Sequence, residues 1–143
     1  MPEVRLGPWE ALRSDAQAVR IAVFIDEQGI PADLEWDDAD AHALHALAVH
    51  GAGEPVATGR LLRHVDGIAR IGRMAVLKAH RGHGIGRAVL DALMRAARER
   101  GEAEVVLHAQ QLAIPFYANA GFIRRGPVFE EAGIPHVAMV CLL

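Results

Sequence analysis

Cysteine is nearly absent from this 143-residue chain, which contains only Cys141. A single cysteine cannot form a disulfide within the chain, so the fold must depend on buried apolar side chains. The thiol lies in the apolar sequence AMVCLL, where we expect it to be buried and unreactive. The lack of disulfides favours an intracellular protein.

Long apolar runs and a strong excess of one charge are also missing. No uninterrupted apolar stretch approaches the roughly 18 residues typical of a membrane-spanning helix. The N-terminal sequence MPEVRLGPWE has neither the basic nor the apolar region of a secretory signal. With a formal net charge of -3, the chain lacks the basic excess typical of nucleic-acid-binding proteins. We therefore expect a cytoplasmic protein with no membrane partner and no nucleic-acid partner.

The composition and length are those of one globular domain. Hydrophobic residues make up 52% of the chain and charged residues 23%, so enough apolar surface is available to form a core. A chain of 143 residues is too short for two comfortable domains. The sequence therefore predicts a single domain that spans residues 1–143.

Helical and strand patterns alternate along the chain. Apolar residues recur with helical spacing between Trp9 and Gln28, with Ser14 or Asp15 available as a cap, and again in GRAVLDALMRAARERG. Between these two helices, three apolar segments separated by turn residues predict consecutive antiparallel strands. The strand AEVVLHA, the short helix AIPFYANAGF and two closing strands follow. This order predicts an α/β (or α+β) fold with a largely antiparallel sheet.

The sequence HRGHGIGRAV, at residues 80–89, places three glycines between a predicted strand and a predicted helix. Glycine permits close approach of the backbone to a ligand, and the free N–H groups and positive dipole end of a helix attract anions. This pattern indicates a phosphate or pyrophosphate site, at which Arg81 and Arg87 could contact phosphate oxygens. The alternative is a tight turn that binds nothing.

The two common nucleotide motifs do not fit this loop. Gly82, Gly84 and Gly86 give G-x-G-x-G instead of the dinucleotide fingerprint G-x-G-x-x-G, and they follow an antiparallel meander. The Walker loop requires a Lys-Ser or Lys-Thr pair, which this segment lacks. A plain nucleotide binder is therefore the weaker alternative.

Two separate motifs resemble those of the GNAT superfamily of acyl-CoA-dependent N-acetyltransferases. RGHGIG, at residues 81–86, matches the signature [Q/R]-x-x-G-x-[G/A], and QQLAIPFYANAGF is similar to a later helix with an aromatic pair that ends at Gly-Phe. VFIDEQGIP, HAQQLAIPFY and FEEAGIPHVAM together resemble the small bacterial ElaA/YjcF-type branch. The resemblance implies a single GNAT-like domain whose mixed, mostly antiparallel sheet has six to seven strands and about four flanking helices.

The resemblance also implies acetyl-CoA as co-substrate. Its pyrophosphate would bind the glycine loop, and its pantetheine arm would pair with the fourth strand, from which EVVLHA would splay away near a bulge at Gly72. Gln110 stands where many members of the superfamily have an asparagine. The implied cofactor-binding residues are Met74, Ala75, Val76, Arg81, Gly82, His83, Gly84, Ile85, Gly86, Arg87, Gln110 and Phe116.

An acid and a base are needed for transfer to an amine. By resemblance the acid is Tyr117, the only tyrosine, which would donate a hydrogen bond to the leaving sulfur. The residues leave the base open among Glu27, Glu35, Asp37, Glu130, Glu131 and His136. Of these, Glu27 ranks first, His136 second and Glu131 third. The acidic run EWDDAD is expected to be a solvated turn, or else to attract a cationic amine. His108 is expected to be a packing residue at a strand end.

No metal site is expected. His42 with His45, and His80 with His83, have i, i+3 spacing, but no matching carboxylate or cysteine cluster accompanies either pair. We expect an enzyme that transfers the acetyl group of acetyl-CoA directly to a primary amine of a small molecule or peptide. The alternative is a non-catalytic acyl-CoA-binding regulatory domain of the same fold. The amine acceptor, the length of the acyl group and a homodimer through the C-terminal strands stay open.

Overall fold

The sheet has seven strands in the computed structural model, which describes residues 2–143. The strands are β1 (Glu3–Pro8), β2 (Leu44–His50), β3 (Glu54–Val65), β4 (Ile68–Val76), β5 (Glu104–Gln110), β6 (Ile123–Glu131) and β7 (Ile134–Leu142). They lie in the order β1-β2-β3-β4-β5-β7-β6. All neighbouring pairs are antiparallel except β4 and β5, which are parallel.

Four α-helices accompany the sheet. They are α1 (Trp9–Arg20), α2 (Ala32–Glu35), α3 (Ile85–Glu99) and α4 (Ile114–Asn119). Helix α1 continues directly into a π-helical segment, Ile21–Glu27. The predicted fold class, a mixed and mostly antiparallel sheet of six to seven strands with about four helices, is therefore confirmed. Within residues 2–143, no helix is long and apolar enough to cross a membrane.

The start of the first helix differs from the expectation. Ser14 and Asp15 were candidate caps, but α1 already begins at Trp9, five residues earlier than Ser14. Pro8 is extended, with ψ of 164°, and it ends β1. Because proline has a fixed φ and no N–H to satisfy, it can end a strand and precede a helix without an intervening loop.

Helix α3 provides the crossover between the parallel strands β4 and β5. Its apolar face, which the sequence pattern predicted, is fully buried at Val89, Leu90 and Leu93. It packs so closely on β3 that a Cβ at Gly59 would lie 3.0 Å from Cδ1 of Leu93 and 3.3 Å from Cγ1 of Val89. This packing fixes the N-terminal end of α3 next to β4, where the glycine loop lies.

Strands β4 and β5 pair over only three residues and then separate. Ile68–Arg70 pair with Glu104–Val106, whereas the rest of β5 pairs only with β7. A β-bulge lies just beyond the separation, because Thr58 pairs with Ala75 but Arg60 pairs with Gly72. The bulged residue Arg73 has a φ of 51°, which is rare for a residue with a Cβ. The predicted slot and the bulge beside Gly72 are both confirmed.

Cys141 is less buried than expected. The thiol lies near the end of β7, and the exposure of the residue is intermediate. Its Sγ would be 3.7 Å from a Cβ at Gly121. The expectation of burial was wrong, because Cys141 packs against the edge of the core cluster and is only partly buried.

Candidate functional site

The glycine loop and the free part of β4 enclose a cleft of about 390 Å³, here called the loop cleft. Ten of the twelve residues expected to bind the cofactor line it, namely Met74, Ala75, Val76, Arg81, Gly82, Gly84, Ile85, Gly86, Arg87 and Phe116. His83 instead faces a separate cavity beside Pro2 and His50. Gln110 lies in a second cleft described below. The structure thus brings together most of the predicted residues on one surface.

The backbone of the loop has the conformation of an anion-binding turn. Gly82 and Gly84 have φ values of 82° and 80°, which disfavour residues with a Cβ. Gly84 directly precedes α3, so the unsatisfied first N–H groups of that helix lie at the loop cleft. A Cβ at Gly86 would approach Val76 Cγ2 to 3.2 Å, which explains the third glycine.

Arg81 is held by an ion pair that the sequence did not predict. Its Nη atoms donate to both carboxylate oxygens of Glu27 at 2.6 and 2.7 Å, and its Nε donates to the carbonyl of Val76 at 2.9 Å. The hydrogen bond from Arg81 lowers the pKa of Glu27, so this carboxylate is ionised. Glu27 lines neither the loop cleft nor the second cleft.

A second cleft of about 470 Å³ lies on the other side of the separated strands. It shares Met74 and Tyr117 with the loop cleft, so these two residues stand where the clefts meet. Gln110 lies in its wall and exchanges two hydrogen bonds with Gln28, at 2.8 and 3.2 Å. A molecule in the second cleft can therefore meet a molecule in the loop cleft at Tyr117.

Tyr117 is buried at this junction. Its ring makes edge contacts with Phe116 and Phe122, at centroid distances of 5.0 and 5.9 Å. Burial raises the pKa of the hydroxyl above its ordinary value, so the group stays neutral. Among residues 2–143 the hydroxyl has no hydrogen-bond partner, and it is free to donate to a bound group.

Two histidines flank one carboxylate in the wall of the second cleft. His136 is 6% exposed, and its Nδ1 lies 2.7 Å from the carbonyl of Ile134. Its Nε2 lies 3.8 Å from one oxygen of Glu131, and the other oxygen of Glu131 lies 2.9 Å from Nδ1 of His108. His108 is therefore a polar partner at the cleft, and the expectation of a packing role was wrong.

The acidic run is also placed differently from the expectation. Glu35 and Asp40 are buried, and Arg20 donates to each of them at 2.7 Å. Arg60 donates to Asp40 at 2.8 Å. The run is not a solvated turn, because it covers two arginines that would otherwise be buried without partners. Burial raises the pKa of Glu35, and this effect exceeds the opposing influence of its arginine partners.

This cluster extends to the wall of the second cleft through Asp37 and Arg73. Asp37 accepts two hydrogen bonds from Arg60, at 2.7 and 2.8 Å, which lower the pKa of Asp37 to about 2. Arg73, at the bulge, lies 3.2 Å from Glu35 and 3.3 Å from Asp37. Arg20, Arg60 and Arg73 were not predicted from the sequence. Arg60 could have been recognised, because it is an arginine at an inward-facing position of the apolar strand β3.

His45 and His80, one from each histidine pair, contact other groups. His45 is buried, and its Nε2 lies 2.9 Å from the carbonyl of Asp40. The ring of His80 lies 5.5 Å from the ring of His50 at a tilt of 58°, and its Nε2 lies 3.9 Å from Glu54. No group of three or more potential ligands that could hold a metal ion is found in the described residues 2–143.

Comparisons with known proteins identify relatives over most of the chain. The sequence profile described as "Acetyltransferase (GNAT) domain" matches residues 13–143. YjcF of Bacillus subtilis, named an uncharacterized N-acetyltransferase, is 39% identical over 127 residues, which cover 88% of this chain and 89% of YjcF. The crystal structure of Escherichia coli ElaA is 29% identical, with a TM-score of 0.87 and 99% of each chain covered. An acyl-CoA N-acyltransferase from Pseudomonas aeruginosa is 29% identical, with a TM-score of 0.86 and the same coverage.

Proposed function

The chain belongs to the GNAT acetyltransferase family, in its ElaA/YjcF-type branch, and from this premise we propose that it is an acetyl-CoA-dependent N-acetyltransferase. The acceptor would be a primary amine of a small molecule or peptide. One observation carries the proposal, namely that the loop cleft and the second cleft meet at Tyr117. A donor and an acceptor can therefore approach each other from opposite sides without sharing one entrance.

The loop cleft has the features that coenzyme A needs. The first N–H groups of α3 and the glycine backbone suit the pyrophosphate. Beyond Arg70, β4 has lost its pairing with β5, so its free edge at residues 74–76 can bind the extended pantetheine arm as an added strand would bind. Phe116 adds an apolar wall at the same cleft. Acetyl is the proposed acyl group by resemblance to the family.

The proposed chemistry is direct transfer. The amine nitrogen attacks the thioester carbonyl, the C–S bond breaks, and coenzyme A leaves as the thiolate, which then takes a proton from water. Because an ordinary thiol has a pKa near roughly 8.5, a hydrogen bond from the neutral Tyr117 hydroxyl to sulfur assists its departure. The amine also loses a proton. His136 lines the acceptor side, whereas both oxygens of Glu27 are engaged by Arg81, so we propose His136 as the base in preference to Glu27.

Calorimetric titration with acetyl-CoA, desulfo-coenzyme A and ATP tests the donor site. We expect micromolar binding of acetyl-CoA and desulfo-coenzyme A, and no response to ATP. Gly84→Glu, which places a carboxylate on a backbone with φ of 80° beside the proposed pyrophosphate site, should abolish binding. Gly7→Ala is the matched control, because its Cβ would make only ordinary contacts at 3.6 Å or more. Retained affinity in Gly84→Glu would exclude the pyrophosphate assignment.

Release of free thiol from acetyl-CoA, assayed with spermidine, lysine and a tripeptide with a free N-terminus, then separates the enzyme from its alternative. A catalytic protein releases thiol with at least one amine. A non-catalytic acyl-CoA-binding regulatory domain would bind the donor and release none. Sedimentation equilibrium would test a homodimer formed through the edge strand β6, which stays a prediction together with the cytoplasmic location.

A further inference from the structure

The cluster of His136, Glu131 and His108 has a geometry that is more specific than a surface ion pair. The three residues come from three adjacent strands, with His108 on β5, His136 on β7 and Glu131 at the end of β6. All three line the second cleft, which also reaches Tyr117. The cluster therefore lies on the side from which an acceptor amine would arrive.

The contacts of His136 determine which of its nitrogens is basic. The carbonyl of Ile134 can only accept a hydrogen bond, so Nδ1 of His136, 2.7 Å away, carries the proton. In the neutral ring, Nε2 then has the free electron pair. This atom faces Glu131 at 3.8 Å, and the side chain of His136 is buried. A proton taken up at Nε2 would be stabilised by a carboxylate that is already in place.

The carboxylate of Glu131 also contacts His108, through the oxygen that does not face His136. This oxygen lies 2.9 Å from Nδ1 of His108, and because a carboxylate can only accept, this contact is a hydrogen bond when Nδ1 carries the proton. Burial alone would raise the pKa of Glu131, but the hydrogen bond from His108 and the nearby positive charge lower it below its ordinary value. The carboxylate is thus ionised and oriented when His136 is neutral.

A fourth residue competes for the same nitrogen of His108. Nη2 of Arg70, on β4, lies 2.9 Å from Nδ1 of His108 and can only donate. One ring nitrogen cannot donate to Glu131 and accept from Arg70 at the same time. His108 therefore donates a hydrogen bond to Glu131 only when its Nδ1 is protonated. When the proton lies on Nε2 instead, Nδ1 accepts a hydrogen bond from Arg70. The orientation of Glu131 depends in this way on a tautomer.

We propose that Glu131 and His108 are positioning residues for His136, and that together they make His136 the base that deprotonates the acceptor amine. The inference rests on the proposed function and extends it, because it names the residues that accept the amine proton and orient the acceptor of that proton. The amine nitrogen forms its bond to the acyl carbon and transfers one proton to Nε2 of His136. The resulting imidazolium lies 3.8 Å from the carboxylate of Glu131, whose charge stabilises it, and it returns to the neutral ring when the proton passes to water through the second cleft.

The experiment compares Glu131→Gln, Glu131→Asp and His108→Ala with the wild type in the thiol-release assay, using spermidine, lysine and the tripeptide as probes. For Glu131→Gln we expect kcat to fall about tenfold to a hundredfold with KM for acetyl-CoA unchanged. The pH–rate profile should also change, because the carboxylate that faces Nε2 of His136 is gone. Glu131→Asp should restore part of the activity, and His108→Ala should show a smaller loss.

The matched control is Glu130→Gln, which makes the same chemical change at the preceding residue. Glu130 is exposed and lines neither cleft. Its kcat and pH profile should equal those of the wild type. An active wild type with an unchanged pH profile in Glu131→Gln would overturn the inference while leaving the proposed function standing. A wild type that releases no thiol with any of the three amines would instead overturn the proposed function, and the inference with it.

A readout that needs no acceptor completes the test. ¹⁵N spectra of the imidazole rings at neutral pH should show the proton of His136 on Nδ1, with Nε2 unprotonated. In Glu131→Gln this tautomer should persist, because the carbonyl of Ile134 fixes it, whereas the tautomer of His108 should change towards acceptance from Arg70. A proton found on Nε2 of neutral His136 would overturn the assignment whatever the kinetics show.

Discussion

Tyr117 combines three properties that the sequence shows only in part. It is the sole tyrosine, and its place in an aromatic pair was visible in the motif. Its burial between Phe116 and Phe122, and the absence of a hydrogen-bond partner for its hydroxyl within residues 2–143, come from the fold. Tyr117 lines both clefts, so a sulfur atom bound where they meet would provide a hydrogen-bond partner for the hydroxyl.

Tyr117→Phe is therefore expected to reduce turnover and leave binding intact. With the hydrogen bond to the leaving sulfur lost, kcat should fall by at least about tenfold, while the Kd for acetyl-CoA and the urea midpoint of unfolding stay close to wild type. Thiol release and calorimetric titration measure the two effects. Normal turnover in the variant would show that another group assists the departure of the thiol.

At the scale of elements, the pair between Glu27 and Arg81 connects the π-helical segment to the glycine loop. The two residues are 54 positions apart in sequence, yet both oxygens of the carboxylate are engaged. Arg81 also binds the carbonyl of Val76 at the end of β4. The pair thus fixes a cation in the wall of the loop cleft, and we propose that Glu27 positions Arg81 and is not the base.

Glu27→Ala distinguishes this role from general base catalysis. Partly exposed ion pairs contribute at most about 1 kcal/mol, so we expect the Kd for acetyl-CoA to change by about fivefold or less and kcat to stay near wild type. Calorimetric titration and thiol release give the two values. Asp26→Ala, at the preceding residue and outside both clefts, serves as the control. A hundredfold loss of kcat in Glu27→Ala would instead identify Glu27 as the base.

For the molecule as a whole, the charged cluster around Arg20 and Arg60 ties the segment between α1 and β2 to the sheet. Arg20 is 1% exposed and Arg60 5% exposed, so their carboxylate partners are needed to compensate buried charge. Asp37 and Arg73 belong to the same cluster and line the second cleft, so the ion pairs that compensate the buried charge also shape the wall of that cleft.

The lowered pKa of Asp37 predicts how the free energy of unfolding depends on pH. The hydrogen bonds from Arg60 lower its pKa in the folded state to about 2, below the ordinary value near 4 that applies to the unfolded chain. Its stabilising contribution is complete above about pH 4 and is lost as the pH falls towards about 2. The free energy of unfolding, measured in urea, should therefore change less between pH 4 and pH 2 for Asp37→Asn than for the wild type.

The control for this prediction is Asp38→Asn, since Asp38 is the adjacent exposed carboxylate. Its stability should follow the wild type across the same range. The pKa of Glu35 is shifted in the opposite direction by burial, so its contribution is common to all three proteins and cancels in the comparison. Equal acid dependence in wild type and Asp37→Asn would show that the pair with Arg60 does not persist in solution.

The sequence alone determined the order of elements, the family and most of the donor site. These features depend on neighbours in the chain, because apolar periodicity sets helices and strands, and glycines at residues 82–86 set a left-handed turn before a helix. Ten of the twelve predicted donor residues line one cleft for this reason. Residues that act together within a short segment can be recognised without knowledge of the fold.

Only the tertiary structure decided which charged groups meet. Glu27 finds Arg81, the acidic run is buried against Arg20 and Arg60, and His108 joins Glu131 because β5, β7 and β6 lie side by side. No local pattern encodes such partners, since a lone carboxylate or histidine looks the same in sequence whether it is solvated or paired. The partners of these side chains therefore depend on strand order and burial, whereas the glycine loop could be recognised from the sequence alone.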